Sequence, residues 1–464
     1  MPMLGTALAT TAAAVIAALP GPPPAPPPVD AGVVRTQLAV PTADGLVLPA
    51  TLHVPADAPP GLPGMVLVHG AGPGPRERLR AEAEAFARAG IATLTYDKRT
   101  VGYSLMERSY SQLADDAIAA AAVLRARIEI DPGEVGFWGL SEGGWVAPLA
   151  ASRDPSTAFL VVVGANGVPP LRQQTWADAS GLEHAGVRGS LVDAESRTLY
   201  RLLSGAGVFP EPYHDPGPPL RSLTLPVLAV WGALDRATPP VESAAAYQQF
   251  LDQAGNRHYT LRTIDGADHA LRASATGYDK GPGFVPGYVE LVGSWVADVA
   301  AGRAPATSST GRGDQHRATA EVPPLAWYES VPVQAGALAV MMAGFTGLGF
   351  TAAWRRLRGR PARPAPWSAR VLAGAGVVAV PGCLLYLGSV MMSRRGAPDP
   401  GPMIAGRPLP WLLLQALAIV ATCATVAFAA RTVRRGGDGS RDALLVTAGV
   451  VFVPWAAYWG LLLP

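Results

Sequence analysis

The chain carries one side chain that can attack a carbonyl carbon and two that can manage its proton, in an order along the sequence that suits covalent catalysis. Ser141 lies in Gly139-Leu140-Ser141-Glu142-Gly143-Gly144, between an apolar strand-like run over 134–138 and a helical pattern over 144–152. A nucleophile held on a tight strand-to-helix turn needs glycine beside it, because a Cβ there meets neighbouring backbone. A serine hydroxyl is a poor nucleophile at neutral pH, so it needs a base to take its proton and a third group to orient that base. The β-type run 226–231 leads into Gly232-Ala233-Leu234-Asp235, and the run 259–263 leads into Ile264-Asp265-Gly266-Ala267-Asp268-His269. Asp235 is the expected orienting acid and His269 the expected base. Asp265 and Asp268 stand closer to His269 in sequence, but neighbours on one short loop rarely point back at their own ring, which favours Asp235.

A tetrahedral intermediate needs preplaced donors for its oxyanion, usually backbone amides. Glu142, directly after the serine, supplies one. The loop His69-Gly70-Ala71-Gly72-Pro73-Gly74 supplies the other from Ala71, with Gly70 allowing close approach and His69 shaping the loop. Of the seven histidines, His53, His184, His214, His258 and His316 fall where surface or packing roles are the default. There is no His-Glu-x-x-His motif and no carboxylate cluster at ligand spacing, so neither a metal nor a cofactor is expected. Cys383 and Cys423 cannot make a disulfide framework.

The elements that must carry these loops alternate between β-branched runs and Ala-rich helical stretches from about residue 33 to 302, the pattern of a mostly parallel sheet covered on both faces. A leading hairpin is expected over 33–40 and 46–54, then strands at 65–68, 91–96, 134–138, 159–163, 226–231 and 259–263. Helices are expected at 76–89, 111–128, 144–152, 241–254 and 285–301. About sixty residues between 163 and 225 interrupt this alternation, with an amphipathic helix over 192–203 and a Pro-rich return over 209–220. An insertion there is expected to form a lid, with Trp176, Leu199, Tyr200, Phe209 and Tyr213 lining a substrate pocket.

These motifs resemble the α/β-hydrolase superfamily, and within it the bacterial esterase and serine-aminopeptidase-like branch, similar also to dienelactone hydrolases and the prolyl-oligopeptidase catalytic domain. The residues that carry the resemblance are His69-Gly70-Ala71-Gly72-Pro73, Tyr96-Asp97-Lys98-Arg99, Gly139–Gly144, Trp231-Gly232-Ala233-Leu234-Asp235 and Gly266-Ala267-Asp268-His269. The resemblance covers about 270 residues and implies a Ser-Asp-His hydrolase with a lid. Where the family continues after its arginine as Gly-x-Gly-x-Ser, this chain has Thr100-Val101-Gly102-Tyr103-Ser104. Asp97 and Arg99 are expected to form a structural ion pair beneath the site.

Charge divides the chain in two. From Val331 onward there are 13 Arg, no Lys, 3 Asp and no Glu, a net of +10, while the first 330 residues carry 24 basic and 32 acidic groups, a net of −8. A total of +2 with only 16% charged residues therefore averages two unlike parts. Neither part suggests a nucleic-acid partner. The basic part contains four charge-free apolar runs, 332–354, 371–392, 411–430 and 443–463, each about the twenty residues needed to span a hydrocarbon core of roughly 30 Å. The ends and loops joining runs one to two and three to four hold ten of the 13 arginines, against three (Arg394, Arg395 and Arg407) between runs two and three. The positive-inside rule puts the arginine-rich loops in the cytoplasm and the residues before 331 outside it. At the other end, 3–19 is an Ala-rich apolar stretch without Lys or Arg, followed by a Pro-rich spacer over 20–28. It reads as a secretory signal or a retained anchor, and either exports the segment downstream of it.

The expected organisation is a signal or anchor with spacer (1–30), an α/β-hydrolase domain (31–302) with its lid at about 165–224, a linker (303–330) and an all-α transmembrane domain of four helices (331–464). The expected function is cleavage of carboxylic esters through an acyl-enzyme, with the catalytic domain on the outer side of a multi-pass cell-membrane protein. A serine peptidase on the same residues is one alternative. A transporter or sensor with a hydrolase-like head is the other, disfavoured because the spans carry no ionisable residue of the kind that marks an ion path. An Arg312-Gly313-Asp314 tripeptide in the linker is read as chance.

Overall fold

The computed structural model describes residues 29–30, 32–104, 106–361, 364–393, 399–435 and 439–464. The apolar stretch 3–19, the spacer 20–28 and, among the arginines of the charge argument, Arg363, Arg394 and Arg395 lie outside the described residues. Ten strands form one sheet: β1 (Val29–Asp30), β2 (Val33–Pro41), β3 (Val47–Pro55), β4 (Leu62–Val68), β5 (Ala92–Tyr96), β6 (Ile130–Leu140), β7 (Leu160–Val163), β8 (Val227–Gly232), β9 (Tyr259–Ile264) and β10 (Ser308–Thr310). Their order is β1-β2-β3-β5-β4-β6-β7-β8-β9-β10. The pairings β1–β2, β2–β3 and β3–β5 are antiparallel and every later one is parallel.

Side-chain alternation splits the core across this sheet. Val66, Leu94, Phe137 and Trp231 face one side, under α2 (Tyr110–Arg125) and α3 (Gly143–Arg153). Met65, Leu67, Trp138 and Val161 face the other, under α1 (Arg80–Arg88) and α9 (Tyr288–Ala300). Successive residues of a strand point to opposite faces, so a strand buried on both, such as β8 with every residue buried, must read as an unbroken apolar run.

The insertion between β7 and β8 holds α4 (Pro170–His184), α5 (Ser190–Asp193), a π-helical turn at Ala194–Leu199, α6 (Tyr200–Gly205) and α7 (Gly217–Leu220). The expected helix over 192–203 is thus part of a longer helical run. α4 was not expected: Pro169-Pro170 fixes its start, but Arg172, Gln173, Gln174 and Asp178 break up its apolar stripe. α8 (Pro240–Gln253) follows β8. Residues after α9 run along the domain, adding β10 beside β9. Asp314 of the tripeptide is engaged there, its amide donating to the Ala233 carbonyl at 2.7 Å and its carboxylate 2.9 Å from Arg236.

Four helices complete the chain: α10 (Val331–Leu357), α11 (Trp367–Ser393), α12 (Leu409–Arg435) and α13 (Ser440–Tyr458). All four are long and apolar enough to cross a membrane. α11 packs chiefly on α12, and α10 on α13. Their shared core continues into the insertion: Leu182, Val187, Leu191 and Val192 belong to the same apolar cluster as Trp411, Trp459 and Leu461. Polar contacts reinforce this seam. The Ser190 amide donates to the Pro464 carbonyl at 3.0 Å, the Arg188 amide to Gly406 at 2.8 Å, and Arg201 meets Glu329 at 2.7 Å.

Candidate active site

β6 ends at Leu140, and the chain turns through Ser141 with φ at +58° before entering α3. A left-handed backbone costs a non-glycine residue roughly 1–2 kcal/mol, and the turn holds because its hydrogen bonds over-determine it. The Ser141 amide donates to the Val163 carbonyl at 3.0 Å, and its carbonyl accepts from Gly144 at 2.8 Å. Gly143 is required by space, since a Cβ there would lie 2.6 Å from the Val68 carbonyl oxygen.

His269 and Asp235 come from the loops after β9 and β8. His269 Nδ1 lies 2.8 Å from Asp235 Oδ2. Asp235 is fully buried and accepts from the Ala237 and Thr238 amides, both at 2.8 Å, and from the Thr238 hydroxyl at 2.5 Å. These donors fix the carboxylate and leave it facing the imidazole. Of the alternative acids, Asp265 is exposed and Asp268 is turned into its own loop, accepting from the Ala270 and Arg272 amides at 2.9 and 2.8 Å. Burial of the imidazole opposes charge, but the Asp235 carboxylate, through its charge and its hydrogen bond, and Asp268 more weakly, raise His269 above its ordinary value.

Among the described residues no hydrogen bond joins Ser141 to His269; common neighbours bring them to one edge. Val163 holds the serine amide, and the next residue, Gly164, packs so closely under the imidazole that a Cβ there would lie 2.7 Å from His269 Nδ1. The Gly70–Ala71 loop runs beside the serine, with a Cβ on Gly70 only 3.3 Å from that of Ser141. Among the described residues, neither the Ala71 nor the Glu142 amide donates to a protein acceptor. Such open amides beside a serine are what a developing oxyanion requires.

The Glu142 side chain has a role that the motif alone did not reveal. It is buried against Lys98 Nζ at 2.9 Å, the Tyr103 hydroxyl at 2.9 Å and Arg108 at 2.5 Å. Lys98 Nζ also donates to the Gly70 carbonyl at 2.5 Å and the Gly72 carbonyl at 3.3 Å, while the Gly72 amide donates to the Tyr103 hydroxyl at 3.0 Å. One buried carboxylate thereby ties the Gly70–Gly72 loop to the turn that carries the serine. A signal existed in the motif itself: a glutamate beside a nucleophile at a buried turn needs a counter-charge, and Lys98 stands in the Tyr96–Arg99 segment.

The expected Asp97–Arg99 ion pair is absent. Asp97 pairs with Arg76 at 2.8 Å, and Arg99 with Asp116 at 2.5 Å and Asp44 at 2.8 Å. Each finds its partner on a different element: Arg76 stands before α1, Asp116 lies on α2 and Asp44 in the turn between β2 and β3. His69 donates from Nε2 to the Tyr96 carbonyl at 2.8 Å, and burial drives it down to about 4, leaving it neutral.

The five expected pocket residues are dispersed. Trp176 is buried, donates its indole N–H to the Arg317 carbonyl at 2.9 Å, and borders a cavity of about 240 Å³ beside Arg236 and Tyr278. Tyr200 and Phe209 pack edge-to-face at 5.9 Å, and Tyr213 is exposed. Leu199 is a correction: it packs against the cluster shared with the four helices, so it belongs to the seam between insertion and helices.

Setting aside the short flanking strands β1 and β10, an eight-stranded sheet whose second strand alone runs antiparallel, with a serine turn after the fifth strand and Asp and His loops after the seventh and eighth, is the α/β-hydrolase fold. Comparison with known proteins finds partial matches. Residues 102–281 match the profile of the prolyl oligopeptidase family. A polyketide transferase (claH) of Penicillium crustosum is 37% identical over 83 residues, 17% of this chain and 27% of that protein. A thiohydrolase (apmlB) of Arthrinium phaeospermum is 30% identical over 132 residues, 28% of this chain and 42% of that protein. The chain therefore spans less than half the length of either relative. Among solved structures, an esterase of Pyrobaculum calidifontis superposes with a TM-score of 0.42 at 18% identity, over 58% of this chain and 86% of that one.

Proposed function

We propose that the chain is a serine hydrolase that cleaves carboxylic esters through an acyl-enzyme. The observation that supports this best is the convergence, at one sheet edge, of Ser141 on its strained turn, the His269–Asp235 pair and the open amides of Ala71 and Glu142. With Nδ1–H held by Asp235, His269 presents Nε2 as an acceptor. It takes the Ser141 proton as Oγ bonds to the ester carbonyl carbon, and the oxyanion is met by the two amides, with Gly70 leaving room. Collapse breaks the ester C–O bond and His269 returns the proton to the departing alcohol. Water, deprotonated by the same nitrogen, then releases the acid and restores Ser141.

A fluorophosphonate probe tests the nucleophile: full-length protein is expected to label and Ser141→Ala is not, and undiminished labelling of that variant would remove Ser141 from the role. The match of residues 102–281 to a peptidase family favours one other reading, peptide cleavage by the same residues. Turnover of aminoacyl amides without turnover of short-chain nitrophenyl esters or thioesters would select it.

A raised His269 value sets the pH dependence. The base must be neutral, so kcat/KM is expected to fall as pH drops through a midpoint above 6.5. Asp235→Asn removes the carboxylate that raises the imidazole, so the acid limb should move to lower pH while kcat drops on the order of 10⁴-fold. A pH–rate profile unaffected by that substitution would exclude Asp235 as the orienting acid.

The four helices are proposed to cross a membrane with the catalytic domain on the non-cytoplasmic side. The insertion meets the helix ends near Gly406 and Pro464, away from the arginine-rich connections. Because Leu182, Val187 and Leu191 are fully buried against that end and each large apolar side chain so buried is worth about 1.5–3 kcal/mol, a chain cut after residue 330 should have a loosened insertion. It is expected to bind an apolar fluorescent dye and to lose esterase activity at temperatures where the full chain is stable. A cut chain that is monomeric, dye-silent and fully active would show that the helices only anchor.

A further inference from the structure

The arginine-rich end of the helices contains a built cavity. A space of about 550 Å³ opens between three helix ends and is lined by Arg355 and Arg356 from the last turn of α10, Arg370 from the first turn of α11 and Arg441 from the first turn of α13. Arg355 Nε donates to the Pro361 carbonyl at 2.9 Å, and Arg441 stands 3.2 Å from Asp442. Across the two connections and adjoining helix ends the sequence has ten arginines against Asp438 and Asp442; Asp438 lies outside the described residues. Orientation by the positive-inside rule accounts for the sign of this charge but not for four arginines lining one space, since Arg431 and Arg434 satisfy that rule without lining it. Guanidinium forks match phosphate oxygens, and the starts of α11 and α13 add their positive dipole ends to the field.

The remaining lining says which phosphate. Leu348 and Phe350 continue the wall, and Phe350 is 68% exposed. At a rise of 1.5 Å per residue, Leu348 lies roughly 10 Å along α10 from Arg355, so the cavity runs from the arginine level into the apolar span. A free phosphate ion needs only the arginines; a phosphate carrying acyl chains uses both parts. We propose that this cavity binds the headgroup of an anionic phospholipid, the arginines holding its phosphate and the Leu348–Phe350 wall its acyl chains.

The test is titration calorimetry of the purified full-length protein in detergent micelles with dioleoylphosphatidylglycerol, dioleoylphosphatidylcholine and inorganic phosphate. Saturable binding of the phosphatidylglycerol alone is expected. Arg356→Gln with Arg370→Gln should weaken it about thirtyfold, and Arg356→Gln by itself about fivefold. Arg431→Gln with Arg434→Gln makes the same charge change outside the cavity and should shift affinity by no more than about threefold. Undiminished fluorophosphonate labelling of every variant verifies that the chain is folded. Equal weakening by the two double substitutions, equal binding of phosphatidylcholine, or displacement of the lipid by comparable concentrations of phosphate would each overturn the proposal.

Discussion

Ser141→Ala is expected to lower turnover of an activated ester by on the order of a millionfold, with the residue of activity coming from the Ala71 and Glu142 amides and from substrate binding. The loss is this large because nucleophile and base act as a unit. With no hydroxyl to deprotonate, His269 and Asp235 have no task, and adding His269→Ala to Ser141→Ala should cost almost nothing further. A double variant slower than the single by another factor of a hundred or more would mean that His269 serves a second nucleophile, and the proposed roles would fail. The same position offers a readout independent of catalysis. Ser141 holds φ at +58°, a conformation glycine adopts without penalty, so Ser141→Gly should be inactive yet more stable, by about 1 kcal/mol and roughly 2–4 °C in Tm for a domain of this size. Ser141→Ala keeps the strain and should show no such gain. A glycine variant that melts below the alanine variant would contradict a strained turn.

Much of the positioning framework was legible because it follows from local chemistry. β8 is a continuous apolar run and β9 an apolar and β-branched run broken only by Arg262, each leading directly into the loop that carries Asp235 or His269, and Gly143 announces a turn where only glycine fits. What depended on three-dimensional pairing was not legible. Glu142 finds Lys98 and Arg108 from 44 and 34 positions away, and Arg99 finds Asp44 across 55; linear proximity pointed instead to Asp97. Leu199 shows the same limit. Its place in an amphipathic stretch of the lid pointed to a pocket wall, but the apolar surface it packs against, the four-helix core, lies more than 130 residues downstream. The cavity between α10, α11 and α13 was invisible for a related reason: the arginines read as a charge bias, while their convergence depends on how the helices pack.

Lys98→Met is expected to damage both stability and turnover, because the ammonium satisfies several groups at once. The Lys98 and Glu142 side chains are 4% and 1% exposed. Burial depresses the ammonium below its ordinary range, and Glu142 pulls the other way, so each charge is tolerated because of its partner. Removing one member of a buried pair costs about 3–5 kcal/mol; here Arg108 and Tyr103 remain on Glu142, which argues for the lower end, about 3 kcal/mol. The substitution also leaves the Gly70 and Gly72 carbonyls without the donor that holds their loop beside Ser141. Because the Ala71 amide rides on that loop, kcat should fall about a hundredfold with little change in KM, the signature of an interaction made in the transition state. Glu142→Gln should cost less stability on the Lys98→Met background than alone, since the ammonium it would strand is already gone and only Arg108 loses its partner, and it should recover none of the lost turnover, since the loop is still untied. Comparing the two single and the double variants should therefore give a coupling of about 1–3 kcal/mol in thermal unfolding. Additive stabilities would mean the carboxylate and the ammonium are not partners. Unchanged kcat in a folded Lys98→Met protein would show that the loop is held without them.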